Sequence, residues 1–148
     1  MKINIDSSSP EQTKRIASKI SQHLKGGEVI ELISDLGGGK TTFVHGLALG
    51  IGSDDNVSSP TFTINSLYEG SKLKLYHFDF YRLSEPGILI HELDEVIGDK
   101  TAVVVIEWPA IVQANLPMER LSIKFEVVDV NKRKIQINYP ESMSYLIN

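Results

Sequence analysis

The sequence contains no cysteine, and this absence excludes several kinds of chemistry at once. Without cysteine the chain has neither a disulfide scaffold nor thiol catalysis, and zinc or iron–sulfur sites with cysteine ligands are excluded as well. A chain of 148 residues does not need such support, because a domain of this length buries roughly two-thirds of the surface that its unfolded chain exposes. We therefore expect a single domain over residues 1–148 with an ordinary hydrophobic core.

Long hydrophobic runs and an excess of positive charge are also lacking. The longest uninterrupted apolar run is Ala102–Ile106, far shorter than the roughly 18 residues of a membrane span, and residues 1–6 contain no apolar signal core. These features predict a cytoplasmic protein that does not enter a membrane. Fifteen basic and nineteen acidic residues give a net charge of −4, so the whole chain does not attract nucleic acid. Any contact with RNA is expected through a local patch or a partner.

Helix and strand patterns alternate in the first third of the chain. A helix is expected to begin after Ser9, a capping residue followed by proline, and to continue with apolar residues at every fourth position until Gly26. A short apolar strand is predicted at residues 29–33 and a second helix at residues 40–49. This order is typical of a strand that leads through a loop into a helix.

Strand patterns dominate the remainder, with one helix among them. The expected elements are strands at residues 62–68 and 73–81, a helix at 86–96, a strand at 102–106, and strands at 121–127 and 135–139. The strand at 102–106 is apolar on both faces, as parallel strands beneath helices are. The sequence therefore predicts an α/β sandwich with a mixed, largely parallel central sheet flanked by helices, plus antiparallel hairpins.

The most informative segment is a glycine-rich loop, residues 34–39, between the first apolar strand and the second predicted helix. Apart from Ser34, residues 34–41, which are the loop and the first two residues of the helix, match the Walker A pattern. Glycines allow successive backbone N–H groups to point at one anion, and the helix that follows adds its dipole. Strand, loop and helix coincide, which argues against an ordinary glycine-rich turn. The expected nucleotide-binding residues are Asp35, Leu36, Gly37, Gly38, Gly39, Lys40, Thr41 and Thr42.

We expect a particular role or conformation for each of three residues in the Walker A match. Lys40 is expected to reach the β- and γ-phosphates of ATP, and the Thr41 hydroxyl is expected to bind Mg²⁺. Ser34 stands where Walker A usually has glycine. A serine with positive φ would be strained, so we expect an ordinary φ at Ser34. The segment as a whole predicts a P-loop NTPase-like fold that binds a nucleoside triphosphate.

Two carboxylates could complete this site. Glu107 follows the buried strand at 102–106, where P-loop proteins hold their metal. Asp79 lies among aromatic residues, where a carboxylate is rarely without a partner, and the alternative for it is a salt bridge to Arg82. Trp108 is either a core aromatic or part of a binding surface. The expected catalytic residues are Lys40, Asp79 and Glu107.

A further loop, residues 58–62, occupies the position of a switch loop in P-loop proteins, although it could equally be an ordinary loop in which Pro60 opens a strand. Among P-loop classes, a small-molecule kinase would need more than the four arginines present. A GTPase would need an Asn-Lys-x-Asp motif, and residues 131–134 lack its acid. A small ATPase is favoured; a nucleotide kinase, or a nucleotide-gated binding module without turnover, remains an alternative.

Four motifs in one order resemble the TsaE family (formerly YjeE), small bacterial ATPases of tRNA threonylcarbamoyladenosine biosynthesis. They lie at residues 35–43, 59–62, 76–83 and 106–109, so the resemblance extends over most of the chain. Three positions depart from the family pattern: Ser34 stands for glycine, Gly38 for alanine and Phe80 for leucine.

The resemblance implies a Mg²⁺-dependent ATPase that works with TsaB and TsaD, the proteins that transfer the threonylcarbamoyl group to an adenosine of tRNA. Turnover is then expected to be weak without these partners, and contact with tRNA to be indirect. By the same resemblance Thr41 and Glu107 bind Mg²⁺, and Asp79 is the aspartate of the third motif. Glu11 and Arg133 are the residues expected around the nucleotide from the first helix and the last hairpin.

Overall fold

The computed structural model describes residues 1–57, 65–81, 83, 85 and 87–148. Within these ranges the chain forms seven strands, three α-helices and two 3-10 helices. In chain order they are β1 (Lys2–Ser7), α1 (Pro10–Ser21), β2 (Val29–Ile33), α2 (Lys40–Gly50), β3 (Asn65–Glu69), β4 (Lys74–Asp79), α3 (Leu89–Val96), β5 (Ala102–Glu107), the 3-10 helix Pro109–Asn115, β6 (Leu121–Val127), β7 (Arg133–Asn138) and the 3-10 helix Glu141–Leu146.

The seven strands form one mixed sheet in the order β1-β7-β6-β2-β5-β4-β3. Strands β6, β2, β5 and β4 pair in parallel in the centre. The antiparallel pairs are β1 with β7, β7 with β6, and β3 with β4, and they lie toward the two edges. The predicted α/β architecture is therefore confirmed, including the parallel centre and the two hairpins.

Strand β5 shows how the sheet is covered on both faces. Val103 and Val105 pack in a core cluster with the apolar residues of α1 and α2. Val104 and Ile106 point the other way, into a second cluster with Leu93 of α3 and residues of the first 3-10 helix. Because successive strand side chains alternate between faces, a strand between two layers needs an apolar residue at every position. This is why the run at 102–106 could be recognised in the sequence.

Helix α1 begins where the sequence predicts and ends earlier. The N–H of Gln12 donates to Oγ of Ser9, the expected cap, at 3.1 Å. The helix ends at Ser21 rather than near Gly26, because the next turn tightens through backbone bonds of the 3-10 type, such as the N–H of Leu24 to the carbonyl of Ser21. Gly26 then has φ of +100° and lies so close to the carbonyl of Lys100 that a Cβ would collide with it.

Several elements differ from the expectations or lie outside the description. Strand β1 and both 3-10 helices were not predicted. Ile3 and Ile5 of β1 lie opposite Ile137 and Ile135 of β7, so apolar pairing across the sheet explains this strand. The proposed switch loop at 58–62, the start of the strand predicted at 62–68, and Pro86 of the predicted helix lie outside the described residues. No helix in the described ranges is long and apolar enough to cross a membrane.

Candidate phosphate-binding site

The predicted site residues gather at the carboxyl ends of the central parallel strands. The glycine-rich loop follows β2 and leads into α2, while Asp79 ends β4 and Glu107 ends β5. Glu107 lies opposite Leu32 of β2 on one side and opposite Asp79 of β4 on the other. Open α/β sheets bind their ligands at this edge. The sheet therefore brings the loop and both predicted acids together.

The backbone of the loop is bent by its glycines. Gly37 has φ of +75° and Gly39 has φ of +105°, and both values favour glycine over any other residue. The N–H of Gly38 donates to the carbonyl of Asp35 at 3.1 Å and tightens the loop. Gly39 is the N-cap of α2 and offers no side chain to the first N–H groups of the helix. Such a helix start is suited to an anion.

Lys40 points back over the beginning of the loop. Its Nζ donates to the carbonyl of Ser34 at 3.0 Å, to Oγ of Ser34 at 3.0 Å and to the carbonyl of Asp35 at 3.3 Å. Burial lowers the pKa of Lys40 below its ordinary value, although the carboxylates of Glu107, Asp79 and Asp35 oppose the shift. The ammonium group is thus held at the centre of the site.

Ser34 has the ordinary backbone conformation expected from the sequence. Among the described residues, Trp108 is the one non-glycine with positive φ, so the serine in place of glycine is not strained. Its hydroxyl donates to the carbonyl of Asp35 at 2.7 Å while accepting the bond from Lys40. These contacts depend on the fold of the loop, so no sequence pattern predicts them.

Glu107 is held by a partner on the neighbouring strand. It is only 3% exposed, and its Oε1 lies 3.1 Å from Nε2 of His77, whose ring is fully buried. Because a carboxylate only accepts, the imidazole N–H is the donor. In the described part of the chain, Nδ1 of His77 has no hydrogen-bond partner. The bond fixes one carboxylate oxygen of Glu107.

Asp79 is more accessible than Glu107. Its Oδ1 accepts the N–H of Tyr81 at 3.0 Å. Burial raises the pKa of Asp79, and the charge of Glu107 adds to this rise, while the hydrogen bond from Tyr81 opposes it. Arg82, the partner in the alternative assignment of Asp79, lies outside the described residues.

The sequence left open whether Trp108 is a core aromatic or part of a binding surface. Its backbone is left-handed, with φ of 55°, and its indole packs partly against the second core cluster. The centroid of the same ring lies 4.2 Å from Nζ of Lys40 and 4.8 Å from the centroid of the Tyr81 ring. A bulky residue in this conformation is uncommon and is often found at functional sites. The indole therefore serves the core and also faces the site.

Arg133 contacts the glycine-rich loop through its guanidinium group. Its Nε donates to the carbonyl of Gly38 at 3.1 Å and its Nη2 donates to the carbonyl of Gly37 at 3.2 Å. Its Nη1 donates to carbonyls in the turn between β6 and β7. The guanidinium group thus binds the loop to this turn. Glu11 is exposed in the first turn of α1, and among the described contacts no hydrogen bond or ion pair joins it to the loop.

The remaining predicted residues line the loop and the start of α2. Asp35, Leu36 and Gly37 are exposed at the tip, and Gly38 is buried. Thr41 and Thr42 lie in the first turn of α2, half-buried. No group of three or more His, Asp or Glu side chains in the described residues could hold a metal by itself. Thr41 and Glu107 carry side-chain oxygen atoms, the kind of donor that Mg²⁺ prefers.

The chain is similar to proteins of a known family. The family model described as "Threonylcarbamoyl adenosine biosynthesis protein TsaE" matches residues 7–135. The tRNA threonylcarbamoyladenosine biosynthesis protein TsaE of Bacillus subtilis (strain 168) is 40% identical over 126 residues, which are 85% of this chain and 78% of that protein. The protein of the same name from Aquifex aeolicus (strain VF5) is 40% identical over 131 residues, 87% of this chain and 90% of that one.

A solved structure is also similar. The crystal structure of YdiB from Bacillus subtilis superimposes with a TM-score of 0.79 at 33% sequence identity. The superposition covers 99% of this chain and 92% of that chain.

Proposed function

The chain belongs to the TsaE family of tRNA threonylcarbamoyladenosine biosynthesis proteins, and from this premise we propose that it binds ATP with Mg²⁺ and hydrolyses it. The observation that carries the proposal is the position of Lys40. Its ammonium group is bonded to the first residue of the glycine-rich loop, and the charges of Glu107 and Asp79 favour its protonated form. A lysine at a helix start, with an acid on a neighbouring strand, is the arrangement with which P-loop NTPases hold the phosphates and the metal.

The loop side of the site binds the phosphates. In this proposal the N–H groups at the start of α2 and the Lys40 ammonium bind the β- and γ-phosphates, and Arg133 keeps the loop in shape through the carbonyls of Gly37 and Gly38. Thr41 and Glu107 hold Mg²⁺, which neutralises phosphate charge when bound. Glu107 suits this task because His77 orients its carboxylate.

Asp79 acts on water rather than on the metal. Burial raises the pKa of its carboxyl group, and a raised value brings a carboxylate closer to the range in which it can accept a proton at neutral pH. Its place beside Glu107 in the sheet register is suited to a water molecule near the terminal phosphate. Glu11 is also proposed to contact the nucleotide, although none of the described hydrogen bonds or ion pairs joins it to the loop.

The proposed partners are TsaB and TsaD, with which the ATPase would drive or reset transfer of the threonylcarbamoyl group. Contact with tRNA would be indirect, since a net charge of −4 does not favour binding of nucleic acid by the chain alone. The proposal sets this activity in the cytoplasm with the rest of the tRNA-modifying complex.

ATP turnover measured alone and then with the TsaB–TsaD pair tests the proposal. We expect slow, Mg²⁺-dependent hydrolysis by the chain alone and a clear increase when both partners are added. The Glu107→Gln variant, purified in parallel, measures any contaminating ATPase. ATP binding without turnover in either condition would identify a nucleotide-gated module instead, and phosphate transfer to an acceptor in a nucleotide screen would identify a kinase.

A further inference from the structure

The side chain of Ser34 occupies the space that a larger residue at position 38 would need. A Cβ placed on Gly38 would lie 2.2 Å from Oγ and 2.5 Å from Cβ of Ser34. Both distances are far inside van der Waals contact, and rotation about the side-chain bond can move Oγ away but leaves Cβ where the backbone holds it. A serine at position 34 and a side chain at position 38 therefore exclude one another.

The hydroxyl of Ser34 is engaged with the lysine that the proposed function places on the phosphates. The ammonium group of Lys40 has three hydrogens, and three acceptors from the described part of the chain lie within bonding distance: Oγ of Ser34 and the carbonyls of Ser34 and Asp35. A phosphate oxygen that binds Lys40 directly must replace one of them. The two carbonyls belong to the loop backbone, whereas the hydroxyl turns about a single side-chain bond.

We propose that Ser34 sets the affinity of this loop for phosphate, because its hydroxyl competes with a phosphate oxygen for Lys40, and that Gly38 is required to make room for it. The inference rests on the proposed function and extends it, since it assigns to Ser34 a positioning role that lowers the affinity for ATP. A loop with glycine at position 34 could accept a methyl group at position 38 and would have no competing hydroxyl.

The first test removes the hydroxyl and keeps the Cβ. Ser34→Ala should bind ATP and pyrophosphate about three- to tenfold more tightly than the natural chain in calorimetric titrations, the effect of one intramolecular hydrogen bond lost in competition. Ser122→Ala, on β6 and half-buried like Ser34, is the matched control and should bind as the natural chain does. Equal or weaker binding by Ser34→Ala would overturn the competition.

The second test places a methyl group on Gly38 in three backgrounds and measures thermal unfolding without nucleotide. Gly38→Ala should lower the melting temperature of the natural chain, and also that of Ser34→Ala, in which the Cβ at 2.5 Å remains. In the Ser34→Gly background the same change should lower the melting temperature less, because only the carbonyl of Asp35, at 3.1 Å from the new Cβ, remains close. An equal loss in all three backgrounds would overturn the steric pairing.

The two tests separate this inference from the proposed function. A natural chain that bound neither ATP nor pyrophosphate would overturn the proposed function and the competition together, while the unfolding series would still decide the steric pairing. ATP binding of equal strength in the natural chain and in Ser34→Ala would overturn the competition alone.

Discussion

The glycine-rich loop and the two acids are held in place by different kinds of structure. The loop is shaped by main-chain groups: glycines with positive φ, and carbonyls that accept bonds from Lys40 and Arg133. The acids stand at the ends of buried strands, and Glu107 is fixed by a side chain from the next strand, His77. The conformation of the loop therefore depends on local main-chain contacts, whereas the acids are continuous with the core.

This difference suggests a division of work between the two regions. Residues of the loop should determine how tightly a nucleotide binds, and the acids should determine whether it is hydrolysed. Substitutions that keep size but alter charge or hydrogen bonding can separate the two effects, because neither region then loses packing volume.

The largest effect is expected from Glu107→Gln. The swap keeps the shape of the side chain and removes the charge that would hold Mg²⁺, so turnover should fall by about 100-fold or more. Initial rates of phosphate release at saturating ATP measure this. Glu95→Gln, an exposed residue of α3, is the control and should leave the rate unchanged. A natural rate in Glu107→Gln would remove this residue from the catalytic group.

Lys40→Ala should chiefly affect binding. Losing a hydrogen bond to a charged group should weaken ATP affinity by about tenfold to 100-fold. The sheet and helices should persist, so the circular dichroism spectrum of the variant should match that of the natural chain. Lys72→Ala, in the exposed turn between β3 and β4, serves as the control. ATP binding at natural strength would contradict the assignment of Lys40.

The pKa of Lys40 gives a pH test of the same assignment. Because burial lowers this pKa, Lys40 loses its proton at a lower pH than an ordinary lysine, and ATP affinity should fall as pH rises toward its ordinary value of 10.5. Calorimetric titrations between neutral pH and that value measure the decline. Lys40→Ala should show a flatter profile, and parallel profiles for the two proteins would contradict the prediction.

Arg133→Ala should have a smaller effect on binding, because Arg133 holds the loop through Gly37 and Gly38 and the loop retains its own internal bonds. We expect affinity for ATP to fall by about three- to tenfold. Arg133→Lys should recover little of it, since one ammonium group cannot reproduce the two-armed contact. The exposed Arg15→Ala on α1 is the control. Full rescue by lysine would mean that charge alone matters.

The smallest change is expected in the stability of Asp79→Asn. An acid whose pKa is raised by folding contributes most to stability below its ordinary value of 3.8, and this contribution is lost as pH rises through the raised value. Removing the acid should therefore raise the melting temperature slightly at neutral pH and have no effect at strongly acidic pH. Asp94→Asn, exposed on α3, is the control. A lower melting temperature at neutral pH would contradict the direction of the shift.

The same comparison explains what the sequence could and could not predict. The loop was recognisable because its signals are local. The glycines indicate backbone conformations that other residues avoid, and Lys40 carries a charge, whatever the rest of the fold. The bond between His77 and Glu107 depends on the register of β4 and β5, which no short pattern encodes. Trp108 in its left-handed conformation is equally invisible, because its position follows from packing against Lys40 and Tyr81.

Strand β1 was missed for a related reason. Its residues Ile3 and Ile5 gain their apolar partners from β7, at the other end of the chain. The fold class was nevertheless predictable, since β2 and β5 have the buried apolar runs of central parallel strands. The interpretation of Ser34 as unstrained was correct, but its contacts with Lys40 required the folded loop.

Calorimetric ATP binding by Glu107→Gln and Lys40→Ala, titrated without Mg²⁺ under the same conditions, tests the division of work most directly. Without the metal, Glu107 should have no part in holding the nucleotide, so its variant should bind ATP at least as tightly as the natural chain, while Lys40→Ala binds about tenfold or more weakly. Equal loss of binding in both variants would contradict the account, because the loop and the acids would then act as one binding unit.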